Sequence, residues 1–406
     1  MHSVTITPST LTGDIEVPPS KSLLHRGLVC SALAGDVSLC VLPDEAIMSE
    51  DIKATLDCLN QILKSKSTSD PVHLFCGESG TTLRLLVPVL AARGIDAILE
   101  GSGRLPTRPL AEYKDAFEGH HTKLDFPGND VFLPLHLHGR LTPGRFTIPG
   151  NISSQYISGL LLALPLLESD SEIALTSPLE SEPYVNMTLD VMQHFGVLAE
   201  RNADGYRVPG NQRYHATTKY LPEPDFSQAA FWLLANYLGN GVRVQTLPPK
   251  TSQGDRIYAY MLEKLQNTEE NGICELDVSQ TPDLVPALAA AAAVTPCETH
   301  IVNAARLRLK ESDRLATTQA MLNAFGFKAE TTEDGMVIHG STQRPRACTV
   351  DGCRDHRIVM TAAMLATRAD GKVTITDSQA INKSYPTFFN DFIKTGGIAH
   401  EFNVGK

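Results

Sequence analysis

Six segments share one pattern, and they constrain the fold more than any other feature of this sequence. Each has a short polar stretch that can cap a helix, followed by a run of small or aliphatic residues. The six segments are SKSLLHRGLVCSALA from Ser20, GTTLRLLVPVLA from Gly80, SSQYISGLLLALPL from Ser153, DFSQAAFWLLANYL from Asp225, PDLVPALAAAAAV from Pro282 and DHRIVMTAAMLA from Asp355. A helix that is apolar on nearly all sides must be buried, so each segment predicts a central helix inside its own unit.

The six segments recur at similar intervals, which indicates an internal repeat. Their starts are 60, 73, 72, 57 and 73 residues apart. Helices with a single apolar stripe are predicted at 49–63, 185–195 and 253–265. Strands are predicted at 4–6, 97–100, 172–175, 243–244, 300–302 and 373–375. The pattern predicts an α/β protein made of six mixed α/β modules, divided as two domains of three.

Two proline-rich turns, at 17–19 and 221–224, are the best candidates for the points where the chain crosses between domains. If both are crossings, the first strands join the C-terminal half. We therefore expect one domain of residues 1–19 plus 224–406 and another of residues 20–223.

Composition excludes several classes of protein. The 406 residues carry 35 Lys and Arg against 46 Asp and Glu, a net charge of −11, which argues against a nucleic-acid partner. The eight cysteines form no C-x-x-C pair, so we expect reduced thiols without a disulfide framework or a zinc site. The N-terminus has no apolar core of signal-peptide type, and the longest apolar stretch, 156–167, is too short to span a bilayer. A cytoplasmic protein with no membrane partner is the resulting expectation.

The starts of the six helices carry residues that ordinary caps lack. Exposed amides at a helix start favour anions, by roughly 0.3–1 kcal/mol at a surface. The residues found there are Lys21, Ser22 and Arg26; Gly80, Thr81 and Arg84; Ser153, Ser154 and Gln155; Asp225; Asp283; His356 and Arg357. Helix dipoles combined with Lys and Arg would make an electropositive site in an acidic protein. This combination predicts a small substrate with several negative charges.

The segment RLRLKESDRL, residues 306–315, alternates basic and acidic side chains. If a helix begins near Lys310, then Lys310 and Arg314 lie one turn apart on one face, with Glu311 beside them. A carboxylate flanked by two cations could hold an anion and move a proton. A solvated helix with surface ion pairs explains the same residues, and this segment alone does not decide between the two interpretations.

Nine motifs resemble, in order, those of the 5-enolpyruvylshikimate-3-phosphate synthase family. They are VPPSKSLLHR, CGESGTTLR, LPTRP, GNISSQYISGLL, ESEPYV, TPDLVPAL, RLKESDRL, DHRIVM and NKSYPTFF, and they run from about Pro18 to Phe389. The resemblance implies two similar domains, each of three βαβαββ units with buried parallel helices (an inside-out α/β barrel), and an active site in the interdomain cleft. That fold agrees with the six-helix pattern.

The resemblance also implies an activity. The family transfers the enolpyruvyl group of phosphoenolpyruvate to the 5-hydroxyl of shikimate 3-phosphate and releases phosphate, in the shikimate pathway that leads to chorismate and aromatic amino acids. It uses no metal or organic cofactor. We therefore expect two small-molecule substrates, no cofactor and a monomer. The resemblance further implies that glyphosate competes with phosphoenolpyruvate, and that Gly80 leaves room for it.

Site residues follow from the same resemblance. Asp283 is expected to be the base for the 5-hydroxyl, and Glu311 the acid that protonates the enolpyruvyl methylene and later takes that proton back. Lys21 is expected to be a third catalytic residue, which contacts both substrates and assists the proton transfers. Shikimate 3-phosphate is expected to bind Lys21, Ser22, Arg26, Ser153, Ser154, Gln155, Ser181, Asp283 and Lys310, with Tyr184 close by. Phosphoenolpyruvate is expected to bind Lys21, Gly80, Arg108, Gln155, Arg314, Arg357 and Lys383. His356 is expected to position other groups, and Asp51, Arg84 and Asp225 are secondary members of the site. Without the resemblance, helix capping and surface ion pairing explain most of these residues.

Two positions depart from the family pattern. Glu78 stands where some members carry Asn, and Glu182 stands where a basic residue is common, so both add negative charge close to an anion site. Two rival functions stay open at this point: the related transfer of enolpyruvyl to UDP-N-acetylglucosamine, and a non-catalytic anion-binding protein. The first would typically have a reactive Cys, and 101–113 contains none; the second would have lost Asp283 or Glu311, and both are present.

Overall fold

The computed structural model describes residues 2–65 and 70–403. The chain folds into two compact units, Met1–Pro18 with Pro224–Lys406 and Pro19–Glu223. Backbone hydrogen bonds lie on each side of the crossings. Within the first unit, Asp225 N donates to Pro18 O (2.9 Å), and within the second, Ser20 N donates to Glu223 O (2.7 Å).

All six predicted buried helices are present in the structure. The α-helices are α1 Lys21–Leu33, α2 Glu50–Lys64, α3 Gly80–Arg93, α4 Ala111–Ala116, α5 Ser154–Ala163, α6 Glu182–His194, α7 Phe226–Tyr237, α8 Tyr258–Gln266, α9 Val285–Ala293, α10 Arg314–Ala324, α11 His356–Ala366 and α12 Phe388–Lys394. The three predicted one-stripe helices correspond to α2, α6 and α8. Every residue of α9 and α11 is buried, as expected for helices that are apolar on nearly all sides.

The six predicted strand runs are also confirmed, and further strands complete the sheets. The strands are β1 His2–Thr7, β2 Thr12–Ile15, β3 Val72–Phe75, β4 Ala97–Glu100, β5 Thr122–Asp125, β6 Leu135–Gly139, β7 Arg145–Ile148, β8 Ser171–Leu175, β9 Glu200–Arg201, β10 Gly205–Val208, β11 Gly241–Val244, β12 Ile273–Asp277, β13 Glu298–Val302, β14 Lys328–Thr331, β15 Met336–His339, β16 Thr349–Val350, β17 Val373–Thr376 and β18 Ile398–Asn403.

Four sheets share one topology. Their strand orders are β3-β4-β6-β5, β7-β8-β10-β9, β12-β13-β15-β14 and β16-β17-β1-β18. In each sheet the first pair is parallel and the other two pairs are antiparallel. A buried helix connects the parallel pair, so these four modules have the predicted βαβαββ order.

The other two modules stop after βαβα. In one, β2 pairs only with β11, and α8 leads directly into β12. In the other, the described backbone shows a single parallel bridge between Cys40 and Tyr220, with α1 before Cys40 and α2 after it. The prediction of six α/β modules is therefore confirmed, with two of the six reduced.

The last sheet takes its third strand from the other end of the chain. β1 lies between β17 and β18 and pairs antiparallel with both. Val4 and Ile6 on β1 are fully buried and belong to the core of their unit.

Each unit has its own apolar core, built around its three buried helices. All eight cysteines lie in the described part of the chain and are free thiols, and six of them are buried. Among residues 2–65 and 70–403, no helix is both long and apolar enough to cross a membrane.

Candidate active site

Lys21 is the first residue of α1, where the sequence pattern placed it. Its Nζ lies 2.7 Å from Oδ2 of Asp51 in the first turn of α2. Both side chains are mostly buried, with 18% and 12% of their surface exposed. Lys21 is therefore held at the start of its helix by a carboxylate from the neighbouring helix.

Arg26 lies one turn further along α1 and is almost completely buried. Its guanidinium donates to Thr188 Oγ1 (2.7 Å), Ser158 Oγ (3.2 Å), Ser22 O (2.7 Å) and Tyr184 O (2.9 Å). Burial lowers the pKa of Arg26 to about 10. These bonds tie the start of α1 to α5 and α6, so in this structure Arg26 organises the helix starts from inside the unit.

The start of α3 brings two arginines to Gly80. Ser79 caps this helix, and its Oγ accepts from Thr82 N (3.2 Å). A Cβ on Gly80 would lie 2.7 Å from Nη1 of Arg108 and 2.9 Å from Nη1 of Arg84. Only glycine therefore allows the two guanidinium groups to approach the backbone of this helix start so closely.

Gln155, on the first turn of α5, is held in one orientation. Its Oε1 accepts from Arg84 Nη1 (3.0 Å), and its Nε2 donates to Thr81 Oγ1 (2.7 Å). Ser153 caps α5 by accepting from Gln155 N (3.3 Å). Ser154 follows as the first residue of the helix and is buried. The structure thus joins the predicted residues of α3 and α5 through Arg84.

Both departures from the family pattern have partners in the structure. Ser181 adopts a left-handed conformation (φ 54°) directly before α6. The next residue, Glu182, forms an ion pair with Arg201, so its negative charge is compensated. The carboxylate of Glu78 packs against Gly103, where an added Cβ would lie 2.4 Å from Glu78 Cδ.

In the unit that contains residues 224–403, three cations surround Asp283. Oδ1 of Asp283 lies 3.0 Å from Arg314 Nη1 and 3.6 Å from Lys310 Nζ, and Oδ2 lies 2.8 Å from Arg357 Nη2. Burial by itself would raise the pKa of Asp283, but Arg357, Lys310 and Arg314 outweigh it and hold the pKa well below its ordinary value. In this state Asp283 is a carboxylate that binds protons weakly.

Arg314 contacts three carboxylates at once. Its Nη1 donates to Asp283 (3.0 Å), its Nη2 to Glu311 (2.6 Å), and its Nε to Asp355 (3.0 Å). The side chains of Arg314 and Asp355 are 1% and 0% exposed. Burial would lower the pKa of Arg314, but Asp355, Glu311 and Asp283 raise it above its ordinary value. The predicted acid and base therefore share one fully charged guanidinium. We call Asp283, Lys310, Glu311, Arg314, Asp355 and Arg357 the acid-base cluster.

The prediction that a helix begins near Lys310 is wrong. α10 begins at Arg314, and Lys310 has an extended backbone (φ −84°, ψ −161°). Asp313 caps the helix by accepting from Ala316 N (3.1 Å), which fixes the start at Arg314, four residues after Lys310. Lys310 and Glu311 reach Asp283 and Arg314 from the preceding loop, so the predicted grouping holds although the predicted helical face does not exist.

Residues 354–357 and 383 extend the cluster. Asp355 caps α11 by accepting from Arg357 N (3.0 Å), and Arg357 Nη1 donates to Asp283 O (3.1 Å). Lys383 Nζ donates to Arg354 O (2.9 Å). His356, which was expected to position other groups, is buried as the first residue of α11. The secondary residue Asp225 caps α7 by accepting from Gln228 N (3.1 Å).

Two buried carboxylates near Asp283 were missed as site residues. Asp355 was considered only as part of the DHR motif, although the motif placed it next to Arg357. Asp255 bonds to Ser227 at the start of α7, and burial, followed by the charge of Asp283, raises its pKa to about 7. The sequence around Asp255, just before an amphipathic helix, does not indicate a site, because the residues that surround Asp255 in the structure come from distant parts of the chain.

Among the residues that the structure describes, no group of three or more His, Cys, Asp or Glu side chains could hold a metal ion. The carboxylates of the acid-base cluster are instead compensated by Lys and Arg, which suits an anionic ligand.

Comparisons with known proteins identify the family of this chain. Residues 6–392 match the family model of EPSP synthase (3-phosphoshikimate 1-carboxyvinyltransferase). The chain belongs to the EPSP synthase family. The 3-phosphoshikimate 1-carboxyvinyltransferase of Clostridium acetobutylicum is 40% identical and that of Clostridioides difficile is 36% identical, and each alignment covers 100% of both chains.

Solved structures of EPSP synthase relatives share the fold. EPSP synthase from Acinetobacter baumannii is 22% identical, with a TM-score of 0.76 over 99% of this chain and 100% of that one. The enolpyruvyl transferase NikO from Streptomyces tendae is 14% identical, with a TM-score of 0.75 over 100% of this chain and 99% of that one. These likenesses confirm the predicted fold class. As a member of the EPSP synthase family, the enzyme transfers the enolpyruvyl group of phosphoenolpyruvate to shikimate 3-phosphate, a step of aromatic biosynthesis.

Proposed function

We propose that Asp283 and Glu311 carry the proton transfers of this reaction. Asp283 accepts the proton of the 5-hydroxyl of shikimate 3-phosphate while Glu311 gives a proton to the methylene carbon of phosphoenolpyruvate. The observation that supports this assignment is the shared contact with Arg314: one buried guanidinium holds both carboxylates. Two acid-base groups fixed to one rigid cation are well placed for two linked proton transfers.

The reaction then proceeds by addition and elimination. The 5-oxygen bonds to C2 of phosphoenolpyruvate, and the electrons of the double bond take up the proton at C3. In the tetrahedral adduct, C3 loses a proton to Glu311, the double bond forms again, and the C2–O bond to phosphate breaks. The leaving phosphate takes up the proton that Asp283 removed from the 5-hydroxyl, and the cations of the cluster stabilise the negative charge that develops on it.

The ion pairs of Asp283 explain why the base would act only with substrate present. Arg314, Arg357 and Lys310 keep the pKa of Asp283 low, and a carboxylate with a low pKa is a poor base. Phosphate and carboxylate groups of the substrates compete for the same cations. Once those cations bind the substrates, the pKa of Asp283 rises toward the range in which it can accept a proton.

The binding roles follow from charge and from geometry at the helix starts. The proposed ligands of phosphoenolpyruvate are Lys21, Gly80, Arg108, Gln155, Arg314, Arg357 and Lys383. The proposed ligands of shikimate 3-phosphate are Lys21, Ser22, Arg26, Ser153, Ser154, Gln155, Ser181, Asp283 and Lys310. The close approach of Arg108 to Gly80 supports an anion site at the start of α3. Arg26 also donates to the backbone carbonyl of Ser22, so it would hold that neighbouring ligand in place as well.

We also propose that the enzyme works as a monomer, without a nucleic-acid or membrane partner. One chain supplies the base, the acid and all the proposed cations, and its net charge of −11 disfavours binding to nucleic acid. Sedimentation with and without both substrates tests this point. A dimer at working concentration would contradict it.

Phosphate release tests the proposed roles and the substrate together. The enzyme is expected to release phosphate from phosphoenolpyruvate with shikimate 3-phosphate but not with UDP-N-acetylglucosamine. Glu311→Gln and Asp283→Asn should each lower kcat by roughly 10²–10⁴-fold, the usual contribution of a general acid or base. Glu330→Gln, on the exposed part of β14, is the matched control and should retain wild-type kcat.

Three outcomes would change the proposal. Release with the nucleotide sugar would assign the enzyme to the related reaction. Binding of both anions without any release would favour a scaffold that has lost its chemistry. Full activity of Glu311→Gln would remove Glu311 as the acid.

A further inference from the structure

The first turn of α2 joins the starts of α1 and α3. The carboxylate of Asp51 holds the ammonium of Lys21 on α1, and its backbone carbonyl accepts from Thr55 Oγ1 (3.2 Å) and lies 3.5 Å from Thr82 Oγ1. Thr82 belongs to α3, at whose start Gly80 and Arg108 meet. The residue that holds Lys21 is therefore itself held by the hydroxyl group of Thr55, with Thr82 of α3 beside it.

Thr55 is the centre of this arrangement. Its hydroxyl is fully buried and lies 2.6 Å from Thr82 Oγ1 and 2.8 Å from His25 Nδ1, in addition to Asp51 O. Thr82 Oγ1 also lies 2.8 Å from Oγ of Ser79, the residue that caps α3. A hydroxyl has one proton and two lone pairs, so three neighbours use its bonding capacity completely.

The direction of the chain follows from His25. Burial, then the charges of Lys21 and Arg26, holds the pKa of His25 well below its ordinary value, so the ring is neutral. Nε2 of this ring is buried, and among the residues that the structure describes it has no hydrogen-bond partner. A buried N–H without a partner costs more than a buried lone pair, so the proton is assigned to Nδ1, which donates to Thr55. The proton of the Thr55 hydroxyl then goes to Asp51 O, and Thr55 accepts from Thr82 Oγ1 as well as from His25.

We infer that Thr55 is a positioning residue for the reaction. It fixes the first turn of α2 between α1 and α3, and in this way keeps Asp51 against Lys21. The inference rests on the role proposed above for Lys21. A lysine side chain has a flexible four-carbon stem, so its ammonium stays in one place only while a fixed partner holds it. Thr55 acts through Asp51 and Lys21.

Threonine variants separate positioning from general stability. Thr55→Val keeps the shape of the side chain and removes the hydroxyl, whereas Thr55→Ser keeps the hydroxyl. Thr299→Val is the matched control: Thr299 lies on β13 of the other unit and is also fully buried. Among the residues that the structure describes, its hydroxyl has a single side-chain contact, at 3.7 Å from Cys297 Sγ. We expect Thr55→Val to lower kcat/KM for both substrates about tenfold, as loss of a buried hydrogen-bond junction predicts. Thr55→Ser should recover most of that loss, and Thr299→Val should show none.

A double-mutant cycle tests the route through Asp51. If Thr55 works by holding Asp51, then Thr55→Val should cause no further loss of kcat/KM in an Asp51→Asn background. Thermal unfolding of each variant shows how much of the loss is due to the fold. Thr82→Val breaks the same chain one bond away, and it provides a second measurement if Thr55→Val does not fold.

The outcomes distinguish this inference from the proposed function. A Lys21→Ala variant with wild-type activity would overturn the role of Lys21 and the inference with it. Loss of activity in Lys21→Ala, together with a fully additive effect of Thr55→Val and Asp51→Asn, would overturn only the inference. A lower Tm for Thr55→Val with kcat and both KM values equal to those of Thr299→Val would assign Thr55 a purely structural role.

Discussion

Arg314 and Asp355 form a buried, two-point ion pair between the starts of α10 and α11. Arg314 Nε lies 3.0 Å from Asp355 Oδ2, and its Nη2 lies 3.3 Å from Oδ1. Asp355 also caps α11, so the pair fixes two helix starts with one contact. Arg314 contacts Asp283 and Glu311 from this fixed position. The ion pair therefore determines where the other residues of the acid-base cluster lie.

Removing this arginine should affect both stability and activity. Arg314→Met leaves Asp355 as a buried carboxylate without its main cation, and breaking such a pair costs about 3–5 kcal/mol. Arg243→Met is the control in the same unit, because Arg243 pairs with Asp14 at 2.6 Å but is 76% exposed, and such pairs contribute about 0–1 kcal/mol. Urea unfolding measures both. Equal losses in the two variants would contradict the importance assigned to the buried pair.

Stability should decrease as pH rises, because of Asp255. Its folded pKa of about 7 lies above its ordinary value of 3.8. The folded state therefore binds more protons than the unfolded state between these values, so this contribution is fully present below about pH 4 and is lost as pH rises through 7. Asp255→Asn removes this pH dependence. Its free energy of unfolding, relative to that of the wild type, should therefore increase between pH 4 and pH 8. One unit of pKa shift is worth about 1.4 kcal/mol, so the gain should reach a few kcal/mol.

If the free energies of unfolding of the wild type and of Asp255→Asn change with pH in parallel, this account of Asp255 is wrong. The measurement is urea unfolding of both proteins at several pH values. The exposed Glu330→Gln serves as a control and should leave the pH dependence of the wild type unchanged.

Activity should fall at high pH because of Lys310. Burial lowers the pKa of Lys310 to about 8, although Asp283 opposes the shift. The free enzyme therefore loses this positive charge as pH rises through 8, and kcat/KM for shikimate 3-phosphate should fall with it. Lys310→Arg keeps its positive charge at high pH. The basic limb of its profile of kcat/KM against pH should therefore move to higher pH. Lys328→Arg, on exposed β14, should leave the limb in place; an unchanged limb in Lys310→Arg would rule out Lys310 as its source.

Gly80→Ala should weaken phosphoenolpyruvate binding selectively. The new methyl group would lie 2.7 Å from Arg108 Nη1, so this guanidinium must move away from the helix start. We expect a rise of roughly tenfold in KM for phosphoenolpyruvate, equivalent to about 1.4 kcal/mol, with a smaller change for shikimate 3-phosphate. Inhibition by glyphosate should weaken in the same variant, since we expect it to compete with phosphoenolpyruvate there.

A control variant with open space around its glycine separates this contact from a general glycine effect. In Gly241→Ala, the new methyl group would meet only Thr12 Cγ2, at 3.9 Å. It should leave both KM values unchanged. If KM for phosphoenolpyruvate is the same in Gly80→Ala as in Gly241→Ala, the close approach of Arg108 has no role in binding.

The sequence was sufficient for the elements whose pattern is local. The alanine-rich run of α9 is apolar on all sides, and nothing except a buried helix accommodates it. The start of α10 was misplaced because Lys310, Glu311 and Ser312 are compatible with a first helical turn. Of the two possible helix starts, Lys310 and Arg314, the chain adopts the second because the side chain of Asp313 caps the helix there.

The sequence pattern could not predict which residues from distant parts of the chain form ion pairs. Arg314 and Asp355 are separated by 41 positions, and each was noted separately as part of its own motif. The shared contact of Asp283 and Glu311 with one guanidinium, and the pKa of Asp255, depend on which helix starts meet in three dimensions. Motifs could identify the residues of the site but could not tell which cation neutralises which carboxylate.

The place of β1 has a consequence for synthesis on the ribosome. β1 is made before the whole unit Pro19–Glu223, whereas its two neighbours in the sheet, β17 and β18, are made after that unit. The sheet is complete only when residue 403 has been made. At about 5–20 residues per second, synthesis from the end of β1 to residue 403 takes on the order of 20–80 s. During that time the apolar face of β1, with Val4 and Ile6, has no sheet to join, so a nascent chain would be open to chaperone binding at β1.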